Sequence, residues 1–172
     1  TTQASRVGTG APTLRSTHAK RSVCPRMFAI SPMKSERIMS QQHAAGPFDV
    51  TVTPQGQPEV GNGVTTGRMM IDKRYHGALE GSGSGEMLSA MTATEGSAGY
   101  VAIERVTGKL HGRSGSFVVQ HSGTMARGAQ ALSITVVPDS GDGELAGIAG
   151  TMRIRIEERQ HFYEFDYVLP DA

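Results

Sequence analysis

The sequence predicts an all-β domain, a closed antiparallel meander barrel of about eight strands, with a two-sheet β-sandwich as the alternative. Three observations lead there. Apolar residues alternate with polar ones in a series of short segments, which places them on one face of a strand. Those segments are divided by breaks rich in Gly, Pro, Asn and Asp, and none carries the 3.6-residue apolar period of a helix. The composition agrees: 22 glycines, only five Phe and four Tyr, and no Trp in 172 residues fit many turns around an aliphatic and methionine core. A chain of this length suits one core.

Residues 1–45 show neither period and are rich in Ser, Thr, Arg, Gln and Ala. They are read as a disordered basic segment, upstream or non-native sequence ahead of a domain at 46–170. From Gly46 the alternation begins. Phe48, Val50 and Val52 share one face of a first strand, which Pro54-Gln55-Gly56-Gln57-Pro58 ends. After Gly61-Asn62-Gly63, Met69, Ile71 and Tyr75 oppose Met70, Asp72, Arg74 and His76, and Gly77 bends the chain. Gly81-Ser82-Gly83-Ser84-Gly85 lies between Leu79 and Met87-Leu88 and is read as a bulged strand. In the next strand Val101 and Ile103 face one way; Tyr100, Ala102, Glu104 and Val106 face the other. Gly108 to Gly115 holds hairpin-turn residues, and Ser116 to His121 forms a strand apolar on both sides at its centre. Leu132, Ile134 and Val136 make a further strand, and Pro138 to Gly143 reads as a hairpin turn. Met152, Ile154 and Ile156, then Tyr163, Phe165, Tyr167 and Leu169, complete the series. Without helices between them, successive strands pair as hairpins, and closing the meander removes its exposed edges.

Charge and cysteine content bound the function. Residues 1–35 hold Arg6, Arg15, Lys20, Arg21, Arg26 and Lys34 and no acid, so the remainder has eleven bases against sixteen acids. A net-negative body argues against nucleic acid, which demands clustered Lys and Arg. No apolar run is long enough for a membrane helix. The single Cys24 has no internal disulfide partner, which fits a reducing, cytoplasmic setting.

The run Tyr100-Val101-Ala102-Ile103-Glu104-Arg105-Val106-Thr107-Gly108 is followed by Gly112-Arg113-Ser114-Gly115-Ser116-Phe117-Val118-Val119-Gln120-His121-Ser122-Gly123-Thr124. Together with Gly85-Glu86-Met87-Leu88, the segment from Val136 to Gly147 and the closing Tyr163-Glu164-Phe165-Asp166-Tyr167, it resembles an uncharacterised bacterial domain family over roughly residues 46–170. The resemblance implies an eight-stranded antiparallel barrel of the allene oxide cyclase-like superfamily, whose subunits assemble through their outer walls. No segment matches the cyclase active site residue by residue, so no catalytic role is carried over.

Candidate residues follow from position. Glu104 lies on an apolar strand face, where a carboxylate must be paired, protonated or open to a wet cavity. It is a candidate general base, with an ion pair to a neighbouring strand, Arg113 for instance, as the alternative. Glu86 shares that ambiguity. Gln120 and His121 are adjacent on a strand, so one points inward; an inward His121 beside a carboxylate can move protons near neutral pH. Tyr100, Gln120, Arg113 and Tyr163 are candidate ligand contacts, the tyrosines serving equally well as core. His76, His111, His121 and His161 lack metal-ligand spacing, so neither metal nor other cofactor is expected. The sequence thus leaves three readings: a barrel binding a small apolar molecule, a cofactor-independent lyase or isomerase using a Glu and His121, and a structural homo-oligomer.

Overall fold

The computed structural model describes residues 39–170, and among them ten strands and no helix. They are β1 (Met39–Pro54), β2 (Glu59–Gly61), β3 (Val64–Tyr75), β4 (Leu79–Thr92), β5 (Ala98–Leu110), β6 (Arg113–Ala126), β7 (Ala129–Val136), β8 (Asp142–Gly143), β9 (Ala149–Glu157) and β10 (Gln160–Pro170). Every pairing is antiparallel. Eight strands close a barrel: β3 through β7 pair in succession, β7 pairs β9, β9 pairs β10, and β1 joins β10 to β3. The first half of β1 runs beside β10 and the second half beside β3, so one long strand closes the ring. The two short strands are additions, β2 extending β3 and β8 pairing β6.

Four connections are two-residue hairpins with both central residues at positive φ, the geometry whose twist matches that of the flanking strands. They are Asn62-Gly63 (52° and 75°), His111-Gly112 (47° and 84°), Arg127-Gly128 (48° and 90°) and Glu158-Arg159 (47° and 72°). Met39 to Ala45, assigned by sequence to the preceding segment, are the first half of β1. Its inward positions there include Ala44 and Gly46, too small to register as an apolar alternation. The rest of that segment, 1–38, lies outside the described residues.

Two further expectations are corrected. The glycines at 81, 83 and 85 form no bulge: β4 pairs residue for residue with both β3 and β5 throughout. They point inward, where a Cβ at 81 or 85 would strike the β5 backbone and one at 83 would strike the Glu104 carboxylate. The Pro138–Gly143 segment is the start of a longer crossing, not a hairpin turn. Glu144 accepts a hydrogen bond from the Ser114 amide at 2.7 Å, and Leu145 and Ile148 are driven fully into the barrel end.

The interior near that end is filled. Phe48, Tyr75, Phe117, Tyr163, Phe165 and Tyr167 are buried among aliphatics. Phe165 stacks on Phe117 at 5.5 Å and on Tyr167 at 5.1 Å between ring centres. The Tyr163 hydroxyl accepts from the Leu79 amide (2.8 Å) and donates to the His76 carbonyl (3.0 Å), tying β10 to the β3–β4 turn.

Candidate functional site

Inward alternation brings three charged or titratable side chains into the barrel above the aromatic core: Lys73 from β3, Glu104 from β5 and His121 from β6, all buried. Glu104 is 0% exposed. Its Oε2 accepts from Lys73 Nζ at 2.7 Å and its Oε1 from the Tyr75 hydroxyl at 2.8 Å. His121 Nε2 stands 3.1 Å from Oε2, an ion-pair distance without hydrogen-bond alignment, and has no other polar partner among the described residues. The Lys73 ammonium also lies over the rings of Phe48 (5.2 Å) and Tyr75 (5.7 Å). Gly83 supplies the space: β4 offers no side chain where the carboxylate sits.

Burial by itself pushes the Glu104 pKa up, because it penalises the charged form. The contacts with His121, the Lys73 ammonium and the Tyr75 hydroxyl outweigh it and hold the carboxyl below its ordinary value. Burial first, then the Glu104 charge and hydrogen bond, raise the Tyr75 hydroxyl well above its usual range. The cluster is therefore an ionised carboxylate with its acceptor capacity largely taken up by fixed donors.

Beyond this layer the barrel opens. One cross-strand ring holds Met87, Ala102, His121, Ile134 and Met152 in register. The next ring toward the open end holds Ser89, Tyr100, Gly123 and Leu132. The Tyr100 ring fills the place that a side chain at 123 would take, half-buried. Its pKa is raised by burial and then by the Glu104 charge beneath it. Around it lies a cavity of about 410 Å³ lined by Met69, Met87, Met91, Met125, Tyr100 and Leu132, with Ser89, Thr124 and Gln130 as its polar side chains.

Of the residues selected from sequence, Glu104 and His121 meet within the barrel, and Tyr100 lines the cavity above them. The partner of Glu104 is Lys73, not Arg113, which donates to the Pro170 carbonyl at 3.3 Å at the opposite end. Glu86 is on the outer wall, held by Arg68 Nη2 at 2.8 Å. Gln120 is exposed on that wall too, since its neighbour His121 takes the inward position. Tyr163 is core. Sequence reasoning missed Lys73, although it stands at the inward parity between Ile71 and Tyr75. It also missed the four methionines, whose individual strands reveal no common destination.

A closed eight-stranded antiparallel barrel, filled at one end, carrying a buried Lys–Glu–His layer and open at the other, defines the class of molecule. The family model for a protein of unknown function, DUF3224, matches residues 44–167, and the chain belongs to that family. It is similar to a protein with unknown function from the DUF3224 family of Shewanella oneidensis MR-1, known from a crystal structure. The two share 54% identity with a TM-score of 0.73, over 77% of this chain and 100% of that one. No curated protein matches.

Proposed function

We propose that the barrel binds a small, mainly apolar molecule in its open end. The observation that carries this reading is the cavity of about 410 Å³ lined by four thioethers, an aromatic ring and a leucine. Binding sites of this kind are concave, mainly apolar and fitted with few polar groups, and methionine surfaces adapt to irregular ligands. His121 orients the ligand, being the buried polar group nearest the cavity floor in register. The lone cysteine supports a cytoplasmic setting, and no helix among the described residues is long and apolar enough to cross a membrane.

The test is native mass spectrometry of the full chain as purified, followed by titration with the apolar fluorophore N-phenyl-1-naphthylamine. Saturable binding at one site per chain, lost in Met87→Glu, supports the reading. Absence of both a retained mass and saturable probe binding overturns it. A second reading, a cofactor-independent lyase or isomerase, draws on the 3.1 Å approach of His121 to Glu104. In that case the general-base role falls to His121 rather than Glu104, whose carboxylate is already engaged by Lys73 and Tyr75.

A further inference from the structure

The outer wall has two halves of opposite character. Over β1, β9 and β10 the outward side chains form an ion-pair network. Arg153 meets Asp166 at 2.6 Å, Arg155 meets Glu164 at 3.0 Å, and His43 meets Asp166 at 2.7 Å. Over β5, β6 and β7, every outward position from Arg105 toward the open end is uncharged, occupied by Val, Ile, Gln, Ser, Thr, Ala or Gly. Along the β4–β5 side of this face stand Leu88, Val101 and Ile103, exposed by 59%, 53% and 52%. Leu88 is directly opposite Val101 in register, and Glu86 is opposite Ile103. A shallow groove of about 660 Å³ crosses Leu88 and Val101, bounded by the Gln55–Glu59 stretch that leads into β2. On β2 itself Val60 is 76% exposed, the highest value for a large apolar side chain among the described residues.

We propose that this β4–β7 face is an interface between two copies of the chain, related by a two-fold axis. A single sequence supplies both halves of the fit: an apolar strip with a groove, and beside it an arm that carries an uncovered valine. The rim is self-complementary in charge. Arg68 and Glu86, bordering the apolar strip beside Leu88 and Ile103, form a cation–anion couple that a two-fold axis sets against the same couple of the second copy in reversed order, while the outward positions of β5 to β7 beyond them hold no charge to repel it. Depletion of charge within a patch that charged groups border is how interface patches differ from ordinary surface. Four strands about 4.8 Å apart over about seven residues give a footprint of roughly 20 by 23 Å, about 460 Å² per copy before the β2 arm is added, the size of a weak, concentration-dependent dimer contact. The face lies outside the barrel, so the proposal stands independently of ligand binding.

Sedimentation velocity of the full chain between about 1 and 200 µM tests it. The expected result is a species of twice the 18.2 kDa chain mass, with Val101→Lys/Ile103→Glu raising the dissociation constant at least about 100-fold. Unchanged circular dichroism and a single cooperative thermal transition establish that this variant still folds. Arg153→Ala/Glu164→Ala, on the charged half, leaves the dimer intact. A monomer throughout the concentration range overturns the proposal. So does a dimer that survives Val101→Lys/Ile103→Glu, or one that is lost in Arg153→Ala/Glu164→Ala.

Discussion

Replacing Glu104 by Gln keeps the side chain's shape and removes its charge, which leaves the Lys73 ammonium buried and uncompensated. Both side chains are almost wholly inside, at 5% exposure for Lys73 and 0% for Glu104, so water does not relieve the loss. Breaking such a pair from one side costs about 3–5 kcal/mol. In a domain of this size one kcal/mol moves the thermal midpoint by about 3–5 °C, so Glu104→Gln should lower it by about 9–25 °C at pH 7. The effect has a defined pH course. Because the Glu104 carboxyl is held below its ordinary value in the fold, its ionised form stabilises the protein above the unfolded carboxylate pKa of about 4.3. That stabilisation is lost as pH falls through the folded value. The difference between wild type and variant should therefore be constant near neutrality and shrink below about pH 4. Scanning calorimetry from about pH 3 to 8 measures it. Lys73→Met/Glu104→Leu, which removes both charges, should recover the part of the loss that comes from the stranded ammonium, while the Tyr75 hydroxyl and His121 still lack the carboxylate. A Glu104→Gln cost under about 1 kcal/mol at pH 7, or one that grows on acidification, refutes the account.

Two other substitutions read the packing directly. Gly83→Ala places a methyl against the Glu104 carboxylate and the Tyr75 ring, so it should cost about 1–3 kcal/mol of overpacking in urea denaturation; Ser84→Ala, outward on the same strand, should cost almost nothing. Tyr163→Phe leaves the buried Leu79 amide without its acceptor and should cost about 1–3 kcal/mol by the same assay, with faster amide exchange at Leu79.

The barrel was legible in the sequence because alternation survives in every strand that has large inward side chains. It fails where they are small. The first half of β1 was invisible with Ala44 and Gly46 at inward positions, and the Gly81–Gly85 stretch looked like a bulge because nothing local indicates that each missing Cβ makes room for a neighbouring strand. Hairpins marked by glycine at Gly63 and Gly112 were recognisable, whereas Glu158-Arg159 adopts positive φ at both residues without any glycine. The plug formed by Leu145 and Ile148 was hidden within a run of acids and glycines that resembles a turn.

The candidate site divides along a different line. Parity alone put Glu104 on the apolar face, and of the neighbours Gln120 and His121 it required that one point outward. Parity says nothing of distance across the barrel, so the partner of Glu104 was sought at Arg113 when register carries that residue to the far end, and Glu86 looked equivalent to Glu104 although one residue of offset sends it to the outer wall. The consequence bears on chemistry. A general base works best with a pKa near the operating pH, and Glu104, surrounded by a lysine, a tyrosine hydroxyl and a histidine, is moved the other way. Its carboxylate serves to hold charge and position beneath the cavity. His121, whose Nε2 has only that carboxylate for company among the described residues, is left to meet a ligand's polar group. His121→Phe separates these roles: it should weaken probe binding without the large stability loss of Glu104→Gln. Equal stability losses in the two variants, with probe affinity unchanged in His121→Phe, would assign the histidine to the structure alone.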